Sequence, residues 1–174
     1  PAAATRLIEI AENNSRRLIR LINDMLDIDR IQSGRLTLNK SEIDLRDVLI
    51  QACEGGEGIA VAADVKIKCV LPDGQVMVSG DGGRLLQVLA NLTSNAVRVA
   101  PPGSEVVLGL RISADGGTAH VSVDDDGPGV PPEFRDRIFG RFERPEGEER
   151  TGTGLGLAIS REIVMRHDGR LWFE

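Results

Sequence analysis

Apolar residues recur at helical spacing through four segments of the chain, which predicts helices over residues 5–33, 45–62, 81–100 and 154–167. Gly55, Gly56 and Gly58 weaken the second of these helices. Alternation of apolar and polar residues predicts short strands near residues 36–45, 66–71, 76–79, 105–113, 118–124 and 170–173. Most of residues 131–153 has no such period, and a loop of that length inside a compact domain is usually functional or mobile.

The helix over residues 81–100 combines an apolar face with a polar row. Asp81 is a suitable N-cap. The apolar stripe consists of Leu85, Val88, Leu89, Leu92, Ala96 and Val99. Asn91, Asn95 and Arg98 line up about a quarter turn away, at roughly 100° per residue. Such a row suits the floor of a polar pocket, and it equally suits a boundary face that contacts solvent and nearby backbone.

The first helix has a long apolar stripe, made of Leu7, Ile10, Ala11, Leu18, Leu21, Ile22, Met25 and Ile28. Charged residues occupy its other positions, a pattern typical of a helix with a partner helix in a bundle or coiled coil. Gly34 is suited to end it. No partner helix is evident in the chain, so we predict an exposed stripe that dimerisation or missing sequence covers. Because the chain starts at Pro1 without Met, we expect a fragment of a longer protein.

Composition narrows the function classes. With 174 residues, 41% apolar content and a net charge of −6, the chain is typical of a globular domain that does not bind nucleic acid. It contains no apolar run of about 18 residues, so we expect no membrane contact. Cys53 and Cys69 have neither CxxC nor metal-ligand spacing, and we expect reduced, half-buried thiols rather than a disulfide.

Two glycine-rich segments carry candidate binding chemistry. Asp125 follows a predicted strand, and Gly127 and Gly129 let the backbone approach a ligand closely. We expect the Asp125 carboxylate to be partly buried. Such a carboxylate could accept a hydrogen bond from the amine of adenine. A solvated turn is the commoner explanation of such a segment. Residues 152–156, GTGLG, open a helix whose free N–H groups favour phosphate, although close packing at a helix start would explain them too. The amide oxygen of Asn95 suits Mg²⁺.

Taken in this order, these segments resemble the motifs of sensor histidine kinases. Residues 91–96, NLTSNA, look like the N box, and Asp125, Gly127 and Gly129 look like the G1 box. Residues 139–142, FGRF, resemble the F box, and residues 152–157, GTGLGL, resemble the G2 box. The resemblance covers nearly the whole chain.

The resemblance implies two units. Residues 1–35 are similar to the second helix of the dimerisation and histidine-phosphotransfer hairpin. Residues 36–174 resemble the GHKL-type ATP-binding catalytic domain, an α/β two-layer sandwich with a mixed, mostly antiparallel sheet under about three helices. Residues 131–153 would then be the ATP lid. A final strand after Phe173 would be missing from the chain.

The resemblance also implies roles for single residues. Asn95 would coordinate Mg²⁺, Arg98 would face the phosphates of ATP, Asp125 would hold the adenine amine, and Gly127 and Gly129 would shape its pocket. Gly152, Thr153, Gly154, Leu155 and Gly156 would border the phosphates. Phe139 and Phe142 would anchor the lid, and simple core packing is an equally good explanation of both. Asn91 stands where related ATPases carry a Glu that activates water, and an amide cannot act as a general base.

Two departures from the family pattern bear on function. The phosphoacceptor histidine is absent, because neither His120 nor His167 lies in a helix with the acceptor motif. Arg98 and Val99 stand where the family usually has Lys and Tyr, and the planar fork of Arg is not equivalent to an ammonium group.

The leading hypothesis is therefore transfer of the γ-phosphoryl group of Mg-ATP to a histidine on an absent helix. The parent protein would be a cytoplasmic or membrane-attached homodimer that serves a cognate response regulator. One rival is a pseudokinase that acts as a nucleotide-gated interaction module, and another is a GHKL-type ATPase.

Overall fold

The computed structural model describes residues 2–144 and 153–174, and in that part of the chain it contains four α-helices and five strands. The helices are α1 (Ala2–Gln32), α2 (Leu45–Ala62), α3 (Gly82–Val99) and α4 (Gly156–Arg166). The strands are β1 (Ser41–Asp44), β2 (Lys66–Val70), β3 (Met77–Gly80), β4 (Glu105–Ile112) and β5 (Ala119–Asp124). A 3-10 helix spans Pro132–Arg137.

The helix boundaries follow from local chemistry. The carboxylate of Asp81 accepts the Arg84 amide at 3.1 Å and so caps α3, as expected. Gly34, with a φ of +69°, ends α1 in the left-handed conformation that favours glycine. Despite its three glycines, α2 is one continuous helix. Gly56 has a packing reason, because a Cβ there would lie 2.7 Å from Ile67 Cδ1 and 3.0 Å from Thr93 Cγ2.

The strands form two sheets where one mixed sheet was expected. β1 pairs antiparallel with β3, with Ile43 opposite Val78. In the second sheet β4 is central, parallel to β2 and antiparallel to β5. Between β2 and β3 the chain leaves the second sheet in a turn. Pro72 has no amide hydrogen for strand pairing, and Gly74 has a φ of +83°. The predicted hairpin between β4 and β5 is confirmed.

Buried apolar side chains form two clusters, and α3 contributes to both. The sheet cluster lies between the sheets and the faces of α2 and α3 that cover them. Its core members are Leu45, Val48, Leu49, Ala52, Ala60, Val65, Val76, Leu89, Ala96, Val97, Val106, Leu108 and Leu110. The motif cluster joins the end of α1 to α3 and α4, and it consists of Ile28, Ile31, Leu36, Val88, Leu155, Ile159 and Ile163. The single apolar stripe predicted for α3 is therefore divided between two cores.

Two predicted strand segments are wrong. Residues 36–40 are not a strand, because the chain leaves α1 through hydrogen bonds from the Arg35 and Leu36 amides to the Arg30 carbonyl. The apolar side chain of Leu36 packs in the motif cluster instead of in a sheet. Residues 170–173 form no strand either. Trp172 instead lies edge-on to His120, with ring centroids 6.2 Å apart.

The predicted exposed stripe on α1 is confirmed for Leu7, Leu18, Ile22 and Met25, whereas Ile28, at the end of the stripe, is buried in the motif cluster. The following large apolar side chains of α1 are each more than half exposed: Leu7, Ile8, Leu18, Ile19, Ile22, Met25 and Leu26. Within the described residues, no helix is both long enough and apolar enough to span a membrane.

Candidate nucleotide-binding site

The N box helix holds the start of α4 through Asn91. The Asn91 amide nitrogen donates to the Ser160 hydroxyl at 3.0 Å, and Ser160 is buried. Gly156 lies so close to Asn91 that a Cβ at this glycine would overlap the Asn91 side chain. Asn91 therefore positions the G2 segment against α3, a packing role that the sequence did not reveal.

Asn95 and Arg98 continue this row toward the end of α3. Asn95 is half-buried, and its side-chain amide has no hydrogen-bond partner among residues 2–144 and 153–174. Arg98 is exposed on the last turn. The roles predicted for Asn95 and Arg98 stay predictions.

The G1 segment packs against the same end of α3. Asp125 Oδ1 accepts the Gly127 amide at 2.8 Å, which leaves Oδ2 for a ligand. A Cβ at Gly127 would lie 2.5 Å from Asp125 Oδ1 and 2.8 Å from Val99 Cγ2, so glycine is needed for this close approach. Gly129 has a φ of +74°, which also favours glycine. Asp125 is exposed, and the expectation of a partly buried carboxylate is wrong, because it lies beyond the end of β5.

The G2 segment is held by Thr153 and Gly154, while Gly152 lies outside the described residues. Thr153 Oγ1 accepts the Leu155 amide at 3.1 Å and donates to Asp24 Oδ2 of α1 at 3.1 Å. Gly154 has a φ of +67°, and its carbonyl accepts the Phe142 amide at 2.8 Å. Leu155 is buried in the motif cluster. The four described residues of the segment are thereby fixed at the start of α4.

Asp24 was not among the sequence-predicted site residues. Burial raises the pKa of Asp24, the hydrogen bond from Thr153 opposes that rise, and the nearby charges of Asp27 and Arg20 act in opposite directions. No sequence pattern links residues 24 and 153, since their contact depends on how α1 docks. The site therefore has a carboxyl group of α1 as a neighbour.

A second unpredicted contact fixes that docking. Asp27 is buried, and Arg84 Nη1 donates to its two carboxylate oxygens at 2.9 and 2.8 Å. Gln87 Nε2 donates to Asp27 Oδ2 at 2.8 Å. This ion pair joins α1 to the first turns of α3, the helix that carries Asn91 and Asn95.

The predicted lid is described up to residue 144. Phe139 is half-buried, with the Arg161 guanidinium 5.8 Å above its ring and the Phe173 ring 6.1 Å away. Phe142 is 67% exposed, so its side chain packs in no core, and its backbone amide donates to the Gly154 carbonyl. Phe134, which the sequence reading did not single out, is the buried aromatic residue of the segment.

Both histidines are structural, as expected. His167 Nε2 accepts the Asp81 amide at 2.9 Å, and His167 Nδ1 lies 2.8 Å from the Ile163 carbonyl oxygen. This arrangement places the proton on Nδ1 and connects the end of α4 to the start of α3. His120 packs on Trp172.

Comparison with known proteins identifies the class. The sequence family described as histidine kinase-, DNA gyrase B-, and HSP90-like ATPase matches residues 80–174. The chain is 32% identical to sensor histidine kinase WalK of Bacillus subtilis (strain 168) over 173 residues, 97% of this chain and 28% of that protein. The chain thus spans little more than a quarter of the length of this curated relative.

Solved structures agree with this class. Full-length ShkA, described as in complex with AMPPNP, is 33% identical with a TM-score of 0.73, over 86% of this chain and 31% of that one. The mycobacterial sensor histidine kinase MprB is 30% identical with a TM-score of 0.66, over 74% of this chain and 82% of that one. The family match over residues 80–174 includes the segments that carry the N, G1 and G2 motifs. The chain therefore belongs to the histidine kinase-, DNA gyrase B- and HSP90-like ATPase family, as an ATP-binding catalytic domain of the sensor histidine kinase type.

Proposed function

We propose that this domain binds Mg-ATP at the C-terminal half of α3 and transfers the γ-phosphoryl group to a histidine on a helix outside the chain. One observation carries the proposal: two glycine segments meet this half of α3. Gly156 lies against Asn91 and Gly127 lies against Val99. The adenine motif and the phosphate motif are therefore on neighbouring parts of one helix.

Each group then has a role in the proposal. Asp125 Oδ2 accepts the adenine amine, and the backbone N–H groups at the start of α4 face the phosphates. The exposed Arg98 adds positive charge beside them. The described residues contain no group of three His, Cys, Asp or Glu side chains that could hold a metal ion. That fits Mg²⁺, which is held by few protein ligands and by the nucleotide's own oxygens, with Asn95 as the candidate protein ligand.

Phosphoryl transfer of this kind asks the protein for positioning and charge neutralisation, and the bound ion supplies positive charge at the phosphate oxygens. Asn91 supports transfer to a protein nucleophile over hydrolysis, since its amide cannot activate water and is engaged with Ser160. A response regulator would receive the phosphoryl group. Residues 1–35 would belong to the dimerisation hairpin of a homodimer in the cytoplasm, with residues 36–174 as the catalytic unit. The exposed apolar stripe of α1 supports this division.

The first test is calorimetric titration of Mg-ATP and Mg-ADP into the wild type, Asp125→Asn and the matched variant Asp126→Asn. Both carboxylates are exposed, and only Asp125 holds the Gly127 amide. We expect Asp125→Asn to lose at least tenfold in affinity for both nucleotides and Asp126→Asn to bind as the wild type does. Equal losses in the two variants would remove Asp125 from the adenine pocket.

A second assay separates a kinase from a nucleotide-gated interaction module. Radiolabel from γ-labelled ATP should appear on a separately supplied hairpin that carries the acceptor histidine. Binding of nucleotide without transfer would favour the interaction module. Release of labelled phosphate at the same rate without the hairpin would favour an ATPase.

A further inference from the structure

Cys53 and Cys69 lie next to each other in space although they are sixteen positions apart in the sequence. Cys53 lies on α2 and Cys69 on β2, and their sulfur atoms are 2.7 Å apart. A covalent disulfide measures about 2.05 Å, so the two sulfurs are within about 0.7 Å of bonding distance. Both side chains are half-buried, as the sequence predicted, and both thiols are free in this structure.

We propose that Cys53 and Cys69 are an oxidisable pair that forms a reversible disulfide between α2 and β2. The surroundings of the two sulfurs support this assignment. Each lies on a regular element, and the Cys69 thiol also points to the Leu49 carbonyl oxygen at 3.8 Å, so both side chains have defined positions. Within the described parts of the chain no third metal-ligating side chain completes a metal site around the pair. Two adjacent thiols on fixed elements are suited to disulfide chemistry.

The oxidant would be a low-molecular-weight disulfide such as oxidised glutathione. One protein thiolate attacks a sulfur of this molecule, which forms a mixed disulfide and releases one thiolate that takes up a proton. The second protein thiol then loses its proton to solvent and attacks the protein sulfur of the mixed disulfide, which releases the other small thiol. Two protein thiols become one disulfide, and one small disulfide becomes two thiols, so no further reactant is needed.

Burial, together with local charges, makes this reaction slow at neutral pH. Burial raises the pKa of Cys53 to about 12, helped by its hydrogen bond to Cys69 and by the negative charges of Cys69, Glu54 and Glu57. The thiolate, which is the reacting form, is therefore scarce near pH 7. Such a pair suits a modification that accumulates under sustained oxidation and that reductants reverse.

The test measures the equilibrium between the wild type and reduced and oxidised glutathione, under native conditions and in 8 M urea. Intact mass falls by two hydrogens when the disulfide forms, and peptide mapping locates it. These are the chain's two cysteines, so the readout is unambiguous. Because a fold that holds the sulfurs together favours the bond, we expect the native equilibrium constant to exceed that in urea by at least tenfold.

Equal constants in the two conditions would overturn the proposal, as would mixed disulfides or cross-linked dimers as the main native products. The oxidised wild type should also melt about 5 °C or more above the reduced form. Cys53→Ala and Cys69→Ala supply the control, since neither can close the bond and neither should gain in melting temperature when oxidised. This proposal does not depend on the proposed kinase function.

Discussion

The two apolar clusters of this domain are built on different principles. In the sheet cluster, helices α2 and α3 cover the sheets mainly with apolar side chains, and Leu49, Val106 and Leu108 are completely buried. The motif cluster is smaller and is bordered by polar contacts between elements, among them Asp27 with Arg84 and Asn91 with Ser160. Apolar packing tolerates small displacements, whereas hydrogen bonds fix distance and direction. The sheet cluster therefore carries the stability of the fold, and the motif cluster carries the geometry of the site.

The largest effect should come from the sheet cluster. Leu108→Ala on β4 removes a fully buried side chain and leaves a cavity, so the free energy of unfolding should fall by about 3–4 kcal/mol. Ile112→Ala on the same strand, where the side chain is 46% exposed, is the control and should cost less than half as much. Denaturant titration of both variants measures the difference. Equal costs would mean that this cluster is not the main source of stability.

The buried ion pair of the motif cluster should come next. Asp27→Ala leaves the Arg84 charge without its partner, and such a loss costs about 3 kcal/mol in unfolding free energy. The matched pair is Asp29 with Arg35, whose side chains are 68% and 71% exposed, so Asp29→Ala should cost less than about 0.5 kcal/mol. Urea unfolding compares the two variants. Similar costs would show that the ion pair between α1 and α3 contributes no more to the free energy of unfolding than a surface ion pair does.

A smaller, pH-dependent effect is expected at Asp81, where α3 begins. Burial acts to raise the pKa of Asp81, but hydrogen bonds from the Asn39 and Arg84 amides, with the positive charge of Arg84, lower it overall. An acid whose pKa is lower in the folded state adds stability above the ordinary aspartate pKa of about 3.9, and this stability is lost as pH falls through the folded value. Asp81→Ala should therefore cost about 1 kcal/mol at pH 7 and progressively less in acid.

The control for this variant is Asp81→Asn, which keeps a capping oxygen but does not titrate. Its unfolding free energy should lie near that of the wild type at pH 7 and should lack the acid-dependent change at this position. A deficit in Asp81→Ala that is constant between pH 7 and pH 2 would assign the effect to packing instead of to the carboxylate.

The smallest effect concerns the polar residue that intrudes on the sheet cluster. Thr93 is 1% exposed, and its hydroxyl has no hydrogen-bond partner in the described part of the chain. Thr93→Val keeps the shape and removes the unsatisfied group, so the free energy of unfolding should rise by about 0.5 kcal/mol. Thr93→Ser keeps the hydroxyl, loses the methyl group near Gly56, and should be destabilised. Destabilisation by Thr93→Val would show that the hydroxyl has a partner.

Most of the secondary structure could be predicted because it depends on the pattern of neighbouring residues in the sequence. The spacing of apolar residues located α2, α3, α4 and the hairpin of β4 and β5 to within about two residues. The two errors, at residues 36–40 and 170–173, come from short apolar stretches. There the residues are apolar because they contact a cluster or an aromatic ring, and alternation alone cannot distinguish that from a strand.

The candidate site was predicted in its parts but not in its assembly. The motifs identified Asn91, Asn95, Asp125 and the glycines as candidate site residues. These residue types, in this order along the chain, are not what a buried core or a simple loop requires. That Asn91 holds Ser160, and that Gly127 lies against Val99, became visible only when α3, α4 and the turn after β5 were packed together.

By itself the sequence determined most of the helices and strands, the cap at Asp81, much of the exposed stripe of α1 and the family motifs, since all of these depend on neighbouring residues. The tertiary structure alone decided the contacts between residues far apart in the chain: Asp24 with Thr153, Asp27 with Arg84, and Cys53 with Cys69. The physical reason is that periodicity records which face of an element is buried, and only packing decides what that face meets.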